Sequence, residues 1–168
     1  MTKYLLDTNI YISFYDRYYN YNFFPSFWSK FETIINECII IPKIVVNEQT
    51  QNEWFNDWLR NNYTETIYDH KKYFSEWSNI LSSIAENPLY NDGALTSDNG
   101  WAHEKIADPW IIAIAKIEGL TLVTHESKHP NLNPAKPTGK VKIPDICKDF
   151  NVRCITMNEF FEEIKFKI

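Results

Sequence analysis

Lys3-Tyr4-Leu5-Leu6-Asp7-Thr8-Asn9-Ile10 sets a short apolar run directly against a carboxylate flanked by small polar residues. The apolar run suits a strand buried on both faces, as in a parallel sheet. A carboxylate at such a strand's end is either a turn former or one part of a site. Which it is depends on whether other acids arrive at the ends of other elements in the same way.

Working outward, Cys38 to Ile41 inside ECIIIP reads as a second strand, LTLVT at 120 to 124 as a third and Val152 to Thr156 as a fourth. The segments between them carry helical spacing. Trp28, Phe31, Ile34 and Ile35 recur every three to four residues, as do Val45, Trp54 and Trp58 after Pro42. A further helix is expected over about Asp69 to Ala85, with Tyr73, Trp77, Ile80, Leu81 and Ile84 on its apolar face. Residues 87 to 101 hold two of the four glycines and read as a surface loop. Asp108-Pro109 then opens the apolar helix WIIAIAKIE, with Asp as cap and Pro in the first turn, and Gly119 closes it. A Pro- and Lys-containing loop at 127 to 142, a short helix near Asp145 to Phe150 and a terminal helix from Asn158 complete the chain. Strands alternating with helices indicate an α/β fold: an open, mainly parallel sheet of about four to five strands flanked by helices, in a single domain over 1–168.

The 168 residues suffice for one core. With 44% hydrophobic and 23% charged residues the chain is neither disordered nor a membrane protein, and no apolar run nears the roughly 20 residues that span a bilayer. The N-terminus lacks the apolar core and small-residue cleavage site of a secretory signal, so the expected location is the cytoplasm. Cys38, Cys147 and Cys154 are odd in number and without CxxC spacing, and read as reduced thiols rather than a disulfide framework or a Cys-rich zinc site. A net charge of -5 does not advertise nucleic-acid binding, although a site built of carboxylates would itself make the total more negative.

In an open parallel sheet, ligands bind beyond the carboxyl ends of the strands. Asp7 follows the first strand, Glu48 sits one to two turns into the helix after the second, and Glu126 lies two residues past the third. Asp108 begins the helix that feeds the third. Each has a plain alternative as turn former, solvated helix residue, helix cap or loop acid; their order relative to the strands is what makes the group informative. Carboxylates gathered without a basic neighbour repel, and a divalent cation resolves the conflict. Oxygen ligands without Cys or clustered His favour Mg²⁺ or Mn²⁺.

LLDTN at the start, Glu48 after IIIP, ADPWIIAIA with Asp108, and LVTHE with Glu126 resemble the four acidic stations of the PIN domain, the fold of VapC-type toxin ribonucleases. A closer similarity, carried by FPSFW and KIPDIC, is to a PIN-like subgroup of unknown function. The resemblance covers nearly the whole chain. It implies a metal-dependent endoribonuclease, the toxin of a toxin-antitoxin pair, with an antitoxin partner and a homodimer. By it Asp7, Glu48, Asp108 and Glu126 are the metal-binding and catalytic acids, and Thr8, Asn9 and Thr124 orient them or the metal waters. The last station is more often Asp in that family, and the loop 127 to 142 is longer than in compact toxins; it either brings Asp145 to the rim or leaves it at the start of its helix. The alternative is a non-catalytic PIN-like module that binds RNA or a protein partner.

Other motifs weigh less. His125-Glu126-Ser127-Lys128-His129 matches HExxH, but that zinc signature requires a helix, and here it follows a strand and runs into Pro130. His125 is instead a candidate substrate contact. Lys136, Lys140 and Lys142 form a local basic run able to hold a phosphate backbone or simply to solvate a loop. The aromatic stretch Phe14 to Trp28 divides between core and surface in a way sequence does not specify.

Overall fold

The computed structural model describes residues 1–168. Its sheet has three parallel strands in the order β1 (Tyr4–Leu6), β2 (Thr121–Val123) and β3 (Cys154–Ile155). Leu5 pairs with Leu122, and Val123 pairs with both Leu6 and Ile155. The sheet is open and parallel as expected but smaller than four to five strands. The expected strand at Cys38 to Ile41 is reduced to a single parallel bridge between Tyr4 and Ile39, held by the Ile40 N–H on the Tyr4 carbonyl at 2.8 Å. The reason is local. The helix α2 (Pro25–Cys38) runs up to Cys38, and Pro42, which has no N–H, introduces the next helix, leaving too few residues for a ladder.

Helices fill the rest. A short α1 (Thr8–Ile12) follows β1 and continues as a wider turn through Tyr18. After α2 come α3 (Lys43–Glu48) and α4 (Glu53–Asn62), so the single helical run suggested after Pro42 is broken at Gln49 to Asn52, where the Asn52 side chain caps α4. A 3₁₀ turn (His70–Tyr73) leads into α5 (Phe74–Glu86), and the loop at 87 to 101 contains one helical turn, α6 (Gly93–Thr96). The central helix is α7 (Ala107–Glu118), closed by Gly119 in the left-handed conformation at φ 65°. Finally α8 (Ile143–Asp149) and α9 (Met157–Glu163) flank β3, the latter opened by a Thr156/Glu159 capping box.

One continuous core of 42 buried residues joins these elements. Along α7, residues Trp110 to Ala115 are all buried, which marks it as a helix packed on several sides. The aromatic stretch divides three ways. Phe14, Tyr15, Phe27 and Trp28 are core, Tyr19 is half-buried and stacked on Phe27 at 4.0 Å, and Tyr18, Tyr21, Phe23 and Phe24 are exposed. All three cysteines are free thiols. No helix is long and apolar enough to cross a membrane.

Candidate active site

The carboxyl edge of the sheet is where Asp7 and the segment Thr124 to Glu126 emerge from β1 and β2. Since α7 runs back against β2, its N-terminus, with Asp108 in the first turn, lies at the same edge. Asp7 is only 3% exposed. Its N–H joins the sheet at the Val123 carbonyl (2.9 Å), and its carboxylate accepts the Thr124 hydroxyl (3.0 Å). Thr124 in turn accepts the Glu126 N–H at 3.1 Å, so one buried threonine ties the first and last acids together.

Glu48 is the last residue of α3 and half-buried. One carboxylate oxygen accepts the Thr8 hydroxyl and the other the Ala107 N–H (3.1 Å). Ala107 is the first residue of α7, whose own N-cap, Ile106, has no side-chain acceptor. The cap of α7 is therefore Glu48, from a distant helix. This corrects the sequence reading of Asp108, which lies one residue inside α7 and caps nothing. Glu126, also half-buried, repeats the arrangement. It accepts the N–H of Ile143, first residue of α8, at 2.8 Å, with the Lys142 ammonium 3.6 Å away. Both glutamates thus rest on helix N-termini, where free N–H groups and the helix dipole favour negative charge.

The two aspartates, at the N-cap of α1 and in the first turn of α7, are desolvated more than they are compensated. Burial pushes the Asp7 carboxyl up to about 7; Glu126 and Glu48 push it the same way, against the hydrogen bonds from Thr124 and Thr8. Asp108 is half-buried as a residue, but desolvation of its carboxyl, followed by repulsion from Asp7, Glu126 and Glu48, holds it well above the usual carboxylate range; Lys142 pulls the other way. Glu48 and Glu126 both lie close enough to act on the protonation of the two aspartates. Even so, no three His, Cys, Asp or Glu side chains form a ligand group ready for a metal ion. The donor chemistry suits a hard divalent cation: all-oxygen, desolvated and short of positive charge.

The remaining candidates scatter. Thr8 and Thr124 are buried and bonded to Glu48 and Asp7, whereas Asn9 is exposed and makes no side-chain hydrogen bond to the acids. Asp145 does not join the rim. It accepts the His129 N–H at 2.9 Å and so pins the 127 to 142 loop onto α8. Of the basic run only Lys142 reaches an acid; Lys136 and Lys140 are exposed on the loop. His125 is exposed on the rim, where partial desolvation and then Arg17 hold its pKa down. The segment 125 to 129 is not helical, and the ring of His129 accepts the Asn131 N–H, so HExxH is not a zinc site here.

Sequence reasoning missed Gln49. Buried at 1% exposure, it accepts the Tyr15 hydroxyl (3.1 Å) and donates to the Thr8 carbonyl (3.4 Å), bracing the turn that carries Thr8 beneath Glu48. No spacing or motif signals it, because its partners come from two separate segments. Comparison with curated proteins and with solved structures gives no match. A family profile does: residues 4–168 match DUF4411, a domain of unknown function, and the chain belongs to that family.

Proposed function

We propose that the chain is a PIN-like, metal-dependent endoribonuclease that hydrolyses RNA phosphodiester bonds. The observation that supports this reading is the pair Asp7 and Asp108, both carrying raised proton affinity at the carboxyl edge of a parallel sheet, with Glu48 and Glu126 alongside and the Lys142 ammonium 3.6 Å from Glu126. Carboxyls in that condition gain most from a divalent cation, and the donor set favours Mg²⁺ or Mn²⁺. Asp7, Glu48, Asp108 and Glu126 are the residues that would hold it. Bound there, such an ion supplies charge neutralisation at the phosphate and a lower pKa for an attacking water. Thr124 fixes the Asp7 carboxylate and Thr8 that of Glu48, while His125 and Arg17 stand on the rim as candidate phosphate contacts. No covalent nucleophile is required.

The test is incubation of mixed single-stranded and structured RNAs with the purified protein in Mn²⁺ or EDTA, beside Asp108→Asn. Cleavage abolished by EDTA and by the substitution supports the proposal. Equal cleavage by the variant sinks it. The resemblance to VapC-type toxins extends the proposal to a cytoplasmic toxin with an antitoxin partner and a homodimeric form. Co-expression with the product of the neighbouring gene, followed by light scattering, tests both.

A second reading, a non-catalytic module that binds RNA or a protein, is favoured by one specific observation: Glu48 and Glu126 are already engaged at helix N-termini and no ligand group stands ready. Thermal melting separates the two readings. The enzyme requires Mn²⁺ to raise the melting temperature and Asp7→Asn to remove the rise; the module requires neither.

A further inference from the structure

Beside Glu48 lies an open groove of about 810 Å³ into which three separate segments send lysines: Lys43 at the start of α3, Lys71 in the 3₁₀ turn and Lys105 in the approach to α7. All three are exposed and none is in an ion pair. Two of the acids that share the wall are otherwise engaged: Asp69 accepts the Lys71 N–H, and Glu48 holds Ala107 and Thr8. Glu104 is the third carboxylate of the lining, so the groove is balanced in formal charge within a protein of net charge -5, and its three ammonium groups are held by no carboxylate. Its floor is firm, with His70 buried edge-on against Trp110 at 5.0 Å. On its wall stands Phe74, 56% exposed, with one side against Trp77 at 5.4 Å.

Unpaired lysines at intervals and an exposed aromatic ring along one groove form the combination that binds single strands: ammonium groups for the backbone and a ring face for an unstacked base. A duplex would use the lysines but leave Phe74 without a partner. Glu48 belongs both to this groove and to the acidic rim, so the track leads into the site. We infer that this groove binds single-stranded RNA, with Lys43, Lys71 and Lys105 on consecutive stretches of backbone and Phe74 stacked on a base. The inference rests on the nuclease reading above for its substrate class, and it concerns residues that reading does not use.

The test measures binding of a short fluorescein-labelled single-stranded RNA to full-length Asp108→Asn protein in EDTA, across a salt series, so that neither metal nor cleavage enters. With Lys43, Lys71 and Lys105 all changed to Ala, the slope of log affinity against log salt should flatten by about 2, at roughly 0.7 for each phosphate no longer neutralised. Phe74→Ala should weaken binding about tenfold with the slope unchanged. A charge-matched control with Lys30, Lys165 and Lys167 changed to Ala should keep the slope, and melting curves confirm that each variant is folded. No RNA binding, or an equal loss of slope in the control, overturns the inference. So does equally tight binding of a duplex that is indifferent to Phe74→Ala. Groove-dependent binding by a protein that cleaves nothing in Mn²⁺ would leave the groove standing and remove the nuclease. Mn²⁺-dependent cleavage with unchanged KM in the groove variants would do the reverse.

Discussion

At the residue scale the four acids are of two kinds. Glu48 and Glu126 have reach, and each spends its carboxylate on a helix N-terminus; Asp7 and Asp108 are short and remain desolvated. This difference gives a pH dependence of definite sign. An unfolded Asp titrates near 4, whereas Asp7 in the fold titrates at about 7 and Asp108 is raised as well. Between those values the folded protein holds protons that the unfolded chain has released, so this contribution to stability falls as pH rises through the window. Metal-free protein should therefore melt lower at pH 8 than at pH 6, and Asp7→Asn should flatten the change; a wild-type profile no steeper than the variant's would contradict it. Glu48 can be dissected by side-chain chemistry. Glu48→Gln keeps an acceptor for Ala107 and sheds a repelling charge, so in urea denaturation it should exceed Glu48→Ala in stability by about 1 to 2 kcal/mol.

At the element scale, caps and terminators place the site. Helix α7 starts where Glu48 can reach its first N–H and stops at Gly119, whose φ of 65° an L side chain adopts only with strain. Gly119→Ala meets no steric obstacle in the surroundings, so its cost should be that strain alone, about 1 to 2 kcal/mol, seen as a lower denaturation midpoint with an unchanged slope. The stop was legible in sequence because a glycine after an apolar helix has one common use. The start was not. Asp-Pro looked like a cap followed by the first helical residue, yet the capping carboxylate comes from 59 residues away. The second strand failed for a comparable reason: ECIIIP is apolar enough for a strand, but the neighbouring helices consume its ends.

Across the whole molecule, aromatic packing joins the parts that hold the rim. Phe14, fully buried after α1, packs on Phe27 and Phe31 of α2 at 5.2 Å and on Phe161 of α9 at 5.6 Å. Phe14→Ala should cost about 3 to 5 kcal/mol, a large share of the roughly 5 to 15 kcal/mol typical of a domain. Because the core is continuous, the loss should appear as one displaced transition by far-UV and near-UV circular dichroism; two separated transitions would show that α2 and α9 unfold independently. The sequence by itself determined the alternation of helix and strand and the arrival of Asp7 and Glu126 at strand ends, since hydrophobic period and turn chemistry are local. Only the tertiary structure decided which acids are compensated, that Asn9 and Asp145 stand apart from them, and that Lys43, Lys71 and Lys105 line one groove. Those facts depend on distances between segments far apart in the chain, and local periodicity carries no record of such distances.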